Sequence, residues 1–197
     1  MTDNVFRSWF KQRSPDASAL ALAVHAASRH PAFYTNFGLP DSFDGRFEAL
    51  ILHAHLVIRR LRQDGEAGTD LAQALFDALT GHFDEALRAI GVGDMSVGKR
   101  VKTMTSAVYG RLAAYDAGLD SPDLEMLRGA LRRNLYGTVA DLSDDRLRAM
   151  TAFVASAEVH LKAKPMADIA AGRDLFPDPT ALAPAEALAA AGGPKRE

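Results

Sequence analysis

Residues Gly93 to Lys99 of this 197-residue chain read G-x-x-x-x-G-K, seven of the eight positions of a phosphate-cradling P-loop. The eighth position should supply a hydroxyl for magnesium, and here it is Arg100. A P-loop works because a strand delivers a glycine-rich turn to a helix start, with backbone N–H groups facing phosphate. The residues before Gly91, "HFDEALRAI", have a helical pattern, so no strand feeds this turn. Gly91, Gly93 and Gly98 also miss the spacing of a dinucleotide fingerprint. A nucleotide-dependent factor using Lys99 is therefore the weaker reading. The simpler one is architectural: Gly91 ends a helix, Gly93 allows a tight turn, and Asp94 or Ser96 caps the next helix. Metal chemistry finds no better support. His53 and His55 flank Ala54 and point about 200° apart on a helix, so they cannot share an ion. His25, His30, His82 and His160 have no ligand spacing, and there is no cysteine, which excludes thiolate sites and disulfides. No strand–turn–helix elbow presents a nucleophile. None of these patterns supplies a catalytic, cofactor-binding or metal set, and a small all-α enzyme or nucleotide-dependent factor stays the second reading.

The elements around these residues are helical. Ser14 with Pro15 opens a helix that Pro31 ends, and "PAFYTNFGLPDS" follows as a loop. Asp41 or Asp44 caps the next helix, where Phe47, Leu50, Ile51, Ala54, Ile58 and Leu61 form one apolar stripe. Arg59, Arg60 and Arg62 sit at its end, where they suit the helix dipole without needing a partner. "QDGEAG" is a turn, and Thr69 and Asp70 open a helix apolar on much of its circumference, which is expected to be central. A helix from Ser96 to about Ala117 is closed by Gly118. Ser121–Pro122 starts another, bearing the basic cluster Arg128, Arg132 and Arg133, and Ser143 starts a last one to about Lys164. β-branched residues are sparse and nothing alternates as a strand would. The fold class is all-α: a single-domain helical bundle of about six helices over 14–165. Residues 166–197 shift to Ala, Pro, Gly and Asp and read as a low-complexity, mobile tail.

Composition narrows the function classes. Hydrophobic residues make up 48% and charged residues 24%, as in a globular domain. A net charge of −2 argues against a strongly basic nucleic-acid binder. No apolar run reaches the roughly 18 residues of a membrane span, and the start has no secretory hydrophobic region. Residues 1–13 carry Val5, Phe6, Trp9 and Phe10 at helical spacing with Arg7, Lys11 and Arg13 among them. This short basic amphipathic segment fits a membrane surface, a frayed terminus or a helix docked on the body. The overall usage suggests a bacterial cytoplasmic protein.

On the helix from Ser96 to Tyr115, Val97, Val101, Met104, Val108, Leu112 and Tyr115 fall in a sector of about 80°. Lys99, Lys102, Ser106, Tyr109 and Gly110 fall opposite. Lys99, Arg100, Lys102 and Arg111 occur between Met95 and Tyr115 without an acid. A basic face with an exposed Tyr and a helix-interior Gly suits docking, since Gly permits close approach and Tyr supplies amphipathic area. A solvated face with internal ion pairs, from Asp84 or Glu85, suits the same residues.

"LRAIGVGDMSVGKRVKTMTSAVYGRLAAYDAGL" and "HPAFYTNFGLPDSFDGRFEALILHAHLVIRRL" closely resemble the two signature stretches of the ubiquinol–cytochrome c chaperone family. The resemblance spans roughly residues 20–165. Ala89 departs from an acid common in the family, and Val108 from an aromatic. The resemblance implies an assembly chaperone for respiratory complex III. Its partner would be immature cytochrome b or another complex III subunit, met at the cytoplasmic, inner-membrane face, with possible contact to anionic membrane. It implies no cofactor, no nucleic acid and no small-molecule substrate. The alternative function is a peripheral membrane or lipid-binding helical adaptor. The matching positions form the candidate partner-binding set: Gly91, Gly93, Asp94, Lys99, Lys102, Tyr109, Gly110 and Arg111, with Phe33, Tyr34, Asp41, Gly45 and Arg46 upstream. Each also admits a structural role: Asp94 as a cap, Arg46 as an internal salt bridge, Phe33 and Tyr34 as core plugs.

Overall fold

The computed structural model describes residues 15–89 and 108–184, and every element among them is helical. The elements are α1 (Pro15–Ser28), α2 (Pro31–Thr35), α3 (Phe43–Leu61), α4 (Gly65–Ala89) and α5 (108–120). After these come α6 (Glu125–Asn134), α7 (Asp144–Lys162), α8 (Met166–Ala170) and a 3₁₀ turn (Pro179–Leu182). Residues 1–14, with the amphipathic N-terminal segment, lie outside the described residues, as do 90–107 and 185–197.

Several boundaries follow the sequence, and several do not. Ser143 caps α7 by accepting the Arg146 N–H, and Asp144 and Asp145 fill its first turn. For α3 the cap is Ser42, not Asp41 or Asp44; its hydroxyl accepts the Gly45 N–H at 3.1 Å. The expected loop after Pro31 contains α2, whose N-cap is the His30 ring, accepting from the Ala32 N–H. α4 starts at Gly65 rather than Thr69, which sits one turn in and bonds back to the Gly65 carbonyl. Ser121–Pro122 does not open α6. The turn is held by Asp123, which accepts from the Ser121 hydroxyl and the Glu125 N–H, and α6 begins at Glu125.

The central helix is α3, not α4. Twelve of its nineteen residues are buried, including Glu48, His53 and His55, and it packs against α1, α4 and α7. Over its described side chains α4 buries one face only, Gly68, Ala72, Leu75, Ala78 and Leu79. Hydrophobic counting misplaces the centre because it scores Glu48, His53 and His55 as surface residues, whereas each is enclosed by neighbouring helices. The aromatic heart of the bundle is Phe33 of α2, Phe37, His53 of α3 and Phe153 of α7. Their ring centroids lie 5.0 Å apart at Phe33–His53 and Phe33–Phe153, and 5.6 and 6.2 Å apart where Phe37 meets Phe33 and Phe153. Tyr136 closes this cluster by donating to the Phe37 carbonyl at 2.9 Å.

The arginines at the end of α3 do have partners. Arg59 reaches Asp116 at 2.7 Å and Glu158 at 3.0 Å and also pairs with Asp120, tying α3 to α5 and α7. Arg60 donates to the Leu161 and Lys164 carbonyls at 3.1 and 2.9 Å, satisfying the open end of α7, and pairs with Asp64. Of the segment read as a tail, 166–184 is seated on the body. Ile169, Leu175 and Pro179 are buried, α8 lies on α1, and the 3₁₀ turn lies on α7 and α2. Phe176 stacks edge-on to His53 at 4.8 Å. Low-complexity composition hid these few well-placed apolar anchors.

Gly118 does not close α5, which runs on to Asp120. It lets α5 and α6 approach: a Cβ there would lie 2.5 Å from Leu127 Cα and 2.7 Å from its N. Backbone cannot yield as a side-chain tip can. Gly118→Ala is expected to destabilise the fold by about 2 kcal/mol, an overpacking cost, read as a lower urea midpoint at unchanged slope.

Candidate functional site

α5 meets α3 through a small apolar cluster in which Ile51, Val108 and Leu112 are buried and Phe47, Leu50 and Phe76 pack against them. Val108, Leu112 and Tyr115 thus form the inner face of α5, as their spacing requires. The opposite face carries Tyr109, 47% exposed, whose ring lies 5.7 Å from that of Phe76 on α4. Gly110 beside it meets no other described residue within 4 Å where a side chain would stand. Together Tyr109, Phe76 and Gly110 make a flat aromatic ledge with room for another chain to approach closely.

Arg111 turns inward instead. Its Nε lies 2.7 Å from Glu48 Oε2 and its second guanidinium nitrogen 2.5 Å from Oε1, a two-pronged pair between α5 and α3. Burial pushes the Glu48 carboxyl up, and the Arg111 hydrogen bond and charge oppose that shift. Arg111 therefore has its charge matched within the protein, by a buried carboxylate rather than by solvent.

The upstream candidates divide in the same way. Phe33 is buried in the aromatic heart and offers no surface. Gly45 is buried, and a Cβ on it would collide with the Pro40 carbonyl oxygen, so its role is to let the loop cross the first turn of α3. Tyr34 is half-buried and donates to the Ser28 carbonyl at 3.0 Å, locking the α1–α2 corner. Burial raises its pKa. Asp41 and Arg46 are exposed and paired at 2.6 Å. The Arg46 hydrogen bond holds the Asp41 carboxyl below the usual carboxylate range, with the charge of Arg29 adding to it. Gly91, Gly93, Asp94, Lys99 and Lys102, and with them the G-x-x-x-x-G-K stretch, lie outside the described residues.

Asp41 and Arg46 stand at the mouth of a groove of about 580 Å³ between α1, α3 and α4. Among the described residues its apolar lining is Ala21, Leu22, Phe43, Phe47, Leu50 and Leu79. Leu22 and Phe43 form an exposed lip, at 69% and 45%. Sequence reasoning missed this groove, yet one signal was available. Ala17, Leu20, Ala21 and Val24 already fill the buried side of α1, which leaves Leu22 apolar with no core position to occupy.

His53 and His55 face different neighbours, as their spacing on one helix demands. His53 Nδ1–H donates to the Ala49 carbonyl at 2.7 Å, and its ring packs on Phe33 and Phe176. His55 lies beside Tyr115, with Nε2 3.4 Å from Asp116. Burial lowers both pKa values to about 4. Of the second basic cluster, Arg128 pairs with Asp144 at 2.8 Å and with Glu125 at 3.5 Å, while Arg132 and Arg133 stay exposed.

The α3–α5 pairing joins the two signature stretches in space, and a family model spans both: residues 35–176 match the one described as ubiquinol-cytochrome C chaperone. The chain belongs to that family. The crystal structure of the Cbp3 homolog from Brucella abortus superposes with a TM-score of 0.76 at 31% identity, covering 91% of this chain and 98% of that one. The Xenopus laevis ubiquinol-cytochrome-c reductase complex assembly factor 1 is 26% identical over 109 residues, 55% of this chain and 54% of the relative. The Homo sapiens protein of that name is 26% identical over 104 residues, 53% of this chain and 34% of the relative. The chain thus spans about half or less of the length of the curated relatives it matches.

Proposed function

We propose that this chain is a non-enzymatic assembly chaperone for the ubiquinol–cytochrome c reductase complex, holding immature cytochrome b or another subunit at the inner-membrane face. The family match over 35–176 carries this reading, and the relatives named as assembly factors of that complex support it. The surface proposed for contact is the Tyr109–Gly110 ledge, and the proposed set also keeps Gly91, Gly93, Asp94, Lys99 and Lys102, which lie outside the described residues. The paired Asp41 and Arg46 form a second, polar contact. Binding the immature chain lowers the concentration free to aggregate, and release follows when its proper partners compete, both by mass action. Among the described residues no helix is long and apolar enough to cross a membrane, which is compatible with a peripheral position.

Gly110 offers a clean test, because no described residue lies within 4 Å of a side chain placed there. Gly110→Gln is expected to fold at least as stably as the parent, since Gly in a helix costs about 1 kcal/mol relative to good helix formers. Its added bulk should nevertheless weaken capture of the membrane subunit in a crosslinking pull-down from membranes. Lys99→Glu with Lys102→Glu should do the same. A pull-down that recovers the same membrane protein at parental yield from all these variants rejects the ledge. A deletion strain that assembles the complex normally rejects the function itself.

A further inference from the structure

The groove between α1, α3 and α4 is distinct from the ledge and has its own chemistry. Its volume of about 580 Å³ falls within the ~300–1,000 Å³ of small-molecule sites. Twelve described residues line it. Half of the twelve are apolar. Leu79 and Ala21 are buried at the base, Leu50 is half-buried, and Leu22 and Phe43 stand exposed at the lip. A single apolar chain laid from base to lip would cover the two exposed side chains and leave no polar group of its own in the floor.

Charge at the mouth selects the other end of that ligand. Arg29 and Arg46 both line the groove, and Asp41 is the one acid among its described lining residues. Asp41 is already bonded to Arg46 at 2.6 Å, whereas Arg29 makes no ion pair among the described residues. Among the described lining residues, two guanidinium groups against one carboxylate leave one positive charge to be matched, and guanidinium favours a planar or tetrahedral oxyanion. We propose that the groove binds a single-chain anionic amphiphile, a fatty acid or one-tailed lipid, with its tail on Leu22, Leu50 and Leu79 and its head between Arg29 and Arg46. Asp41 keeps Arg46 turned toward the mouth, so two cations serve the head: Arg29 at the end of α1 and Arg46 on the first turn of α3.

The test is a fluorescence titration of the full chain with cis-parinaric acid below its micelle concentration, followed by displacement with palmitate, lysophosphatidylglycerol and hexadecanol. Saturable binding of one probe per chain is expected, displaced by palmitate and at least about tenfold less well by the uncharged hexadecanol, the penalty for leaving a desolvated cation unmatched. Displacement by lysophosphatidylglycerol as readily as by palmitate identifies any single negative head as sufficient; displacement by palmitate alone identifies a carboxylate. Arg29→Glu and Leu22→Glu, both at exposed positions, should each weaken binding about tenfold with an unchanged thermal melt. If a variant fails to fold, the acid-against-alcohol comparison on the parent protein decides. Absence of saturable uptake overturns the proposal. So does binding indifferent to both head charge and Arg29→Glu, or association with intact phosphatidylglycerol vesicles without uptake of the monomeric probe. The groove would then belong to a polypeptide or a bilayer surface.

Discussion

Acidification from pH 7 to pH 4.5 is expected to remove several kcal/mol of stability. The cause is the pair of buried histidines on α3. Burial lowers the pKa of each from 6.5 to about 4. In the unfolded chain both take up a proton below pH 6.5, while in the folded state both stay neutral until about pH 4. Between these values the unfolded state binds more protons, so stability falls as pH falls. At pH 4.5, still above the folded value, each histidine has cost about 2 kcal/mol of stability. Two such terms approach the lower end of a typical domain stability of about 5–15 kcal/mol. The neighbours set the details. His53 has the Ala49 carbonyl and aromatic rings around it and no nearby counter-charge among the described residues. His55 feels Asp116 and Glu158, which favour its charged form, and Arg59 and Arg62, which oppose it. Urea melts at half-unit steps from pH 7.5 to 4.5 give the slope. His53→Phe, which keeps a ring among Phe33, Phe153 and Phe176, should roughly halve that slope. A slope unchanged by His53→Phe would assign the acid sensitivity to other groups.

Arg111→Leu is expected to cost about 3 kcal/mol at pH 7.5, because it leaves the Glu48 carboxylate enclosed without a counter-charge. The loss exceeds that of an ordinary surface ion pair, since Glu48 is buried by α3 and α5 and accepts both prongs of the guanidinium. Glu48 distinguishes this from simple loss of packing. Its carboxyl already binds protons more tightly folded than unfolded, owing to burial, and Arg111 is what opposes that rise. Without Arg111 its pKa climbs further, so protonation on acidification neutralises the stranded charge. The difference between parent and variant should therefore shrink as pH falls from 7.5 to 5.5, the histidine contribution being common to both. Adding Glu48→Leu to Arg111→Leu should recover most of the loss at pH 7.5. A deficit that is constant with pH and not relieved by the second substitution would show that Arg111 acts through packing alone.

Arg111 also shows why a signature residue is not automatically a surface for partners. In the chain it follows Tyr109 and Gly110, and all three read as one docking triplet. A helix turns about 100° per residue, so two positions on from Tyr109 the side chain already points toward α3, where Glu48 waits. Tyr109 and Gly110 remain on the outside. Phe33 and Gly45 belong with Arg111, one filling the aromatic heart and the other admitting the Pro40 carbonyl. Asp41 and Arg46 stay at the surface, yet paired with each other.

Sequence by itself determined the helical class, the inner face of α5 through Val108, Leu112 and Tyr115, the capped start of α7 at Ser143, and the family through its two signature stretches. These rest on local periodicity and capping, which act over a few residues and are written in order along the chain. Tertiary structure decided that α3 rather than α4 is central, that Arg59 and Arg60 bind the bundle together, and that 166–184 is packed rather than loose. It also decided which signature residues face outward. Each of those depends on a neighbour distant in sequence: Glu158 is 99 residues from Arg59, and Arg111 is 63 from Glu48. A charged residue looks the same in the chain whether water or an opposite charge awaits it, and only the packing of remote helices makes that choice.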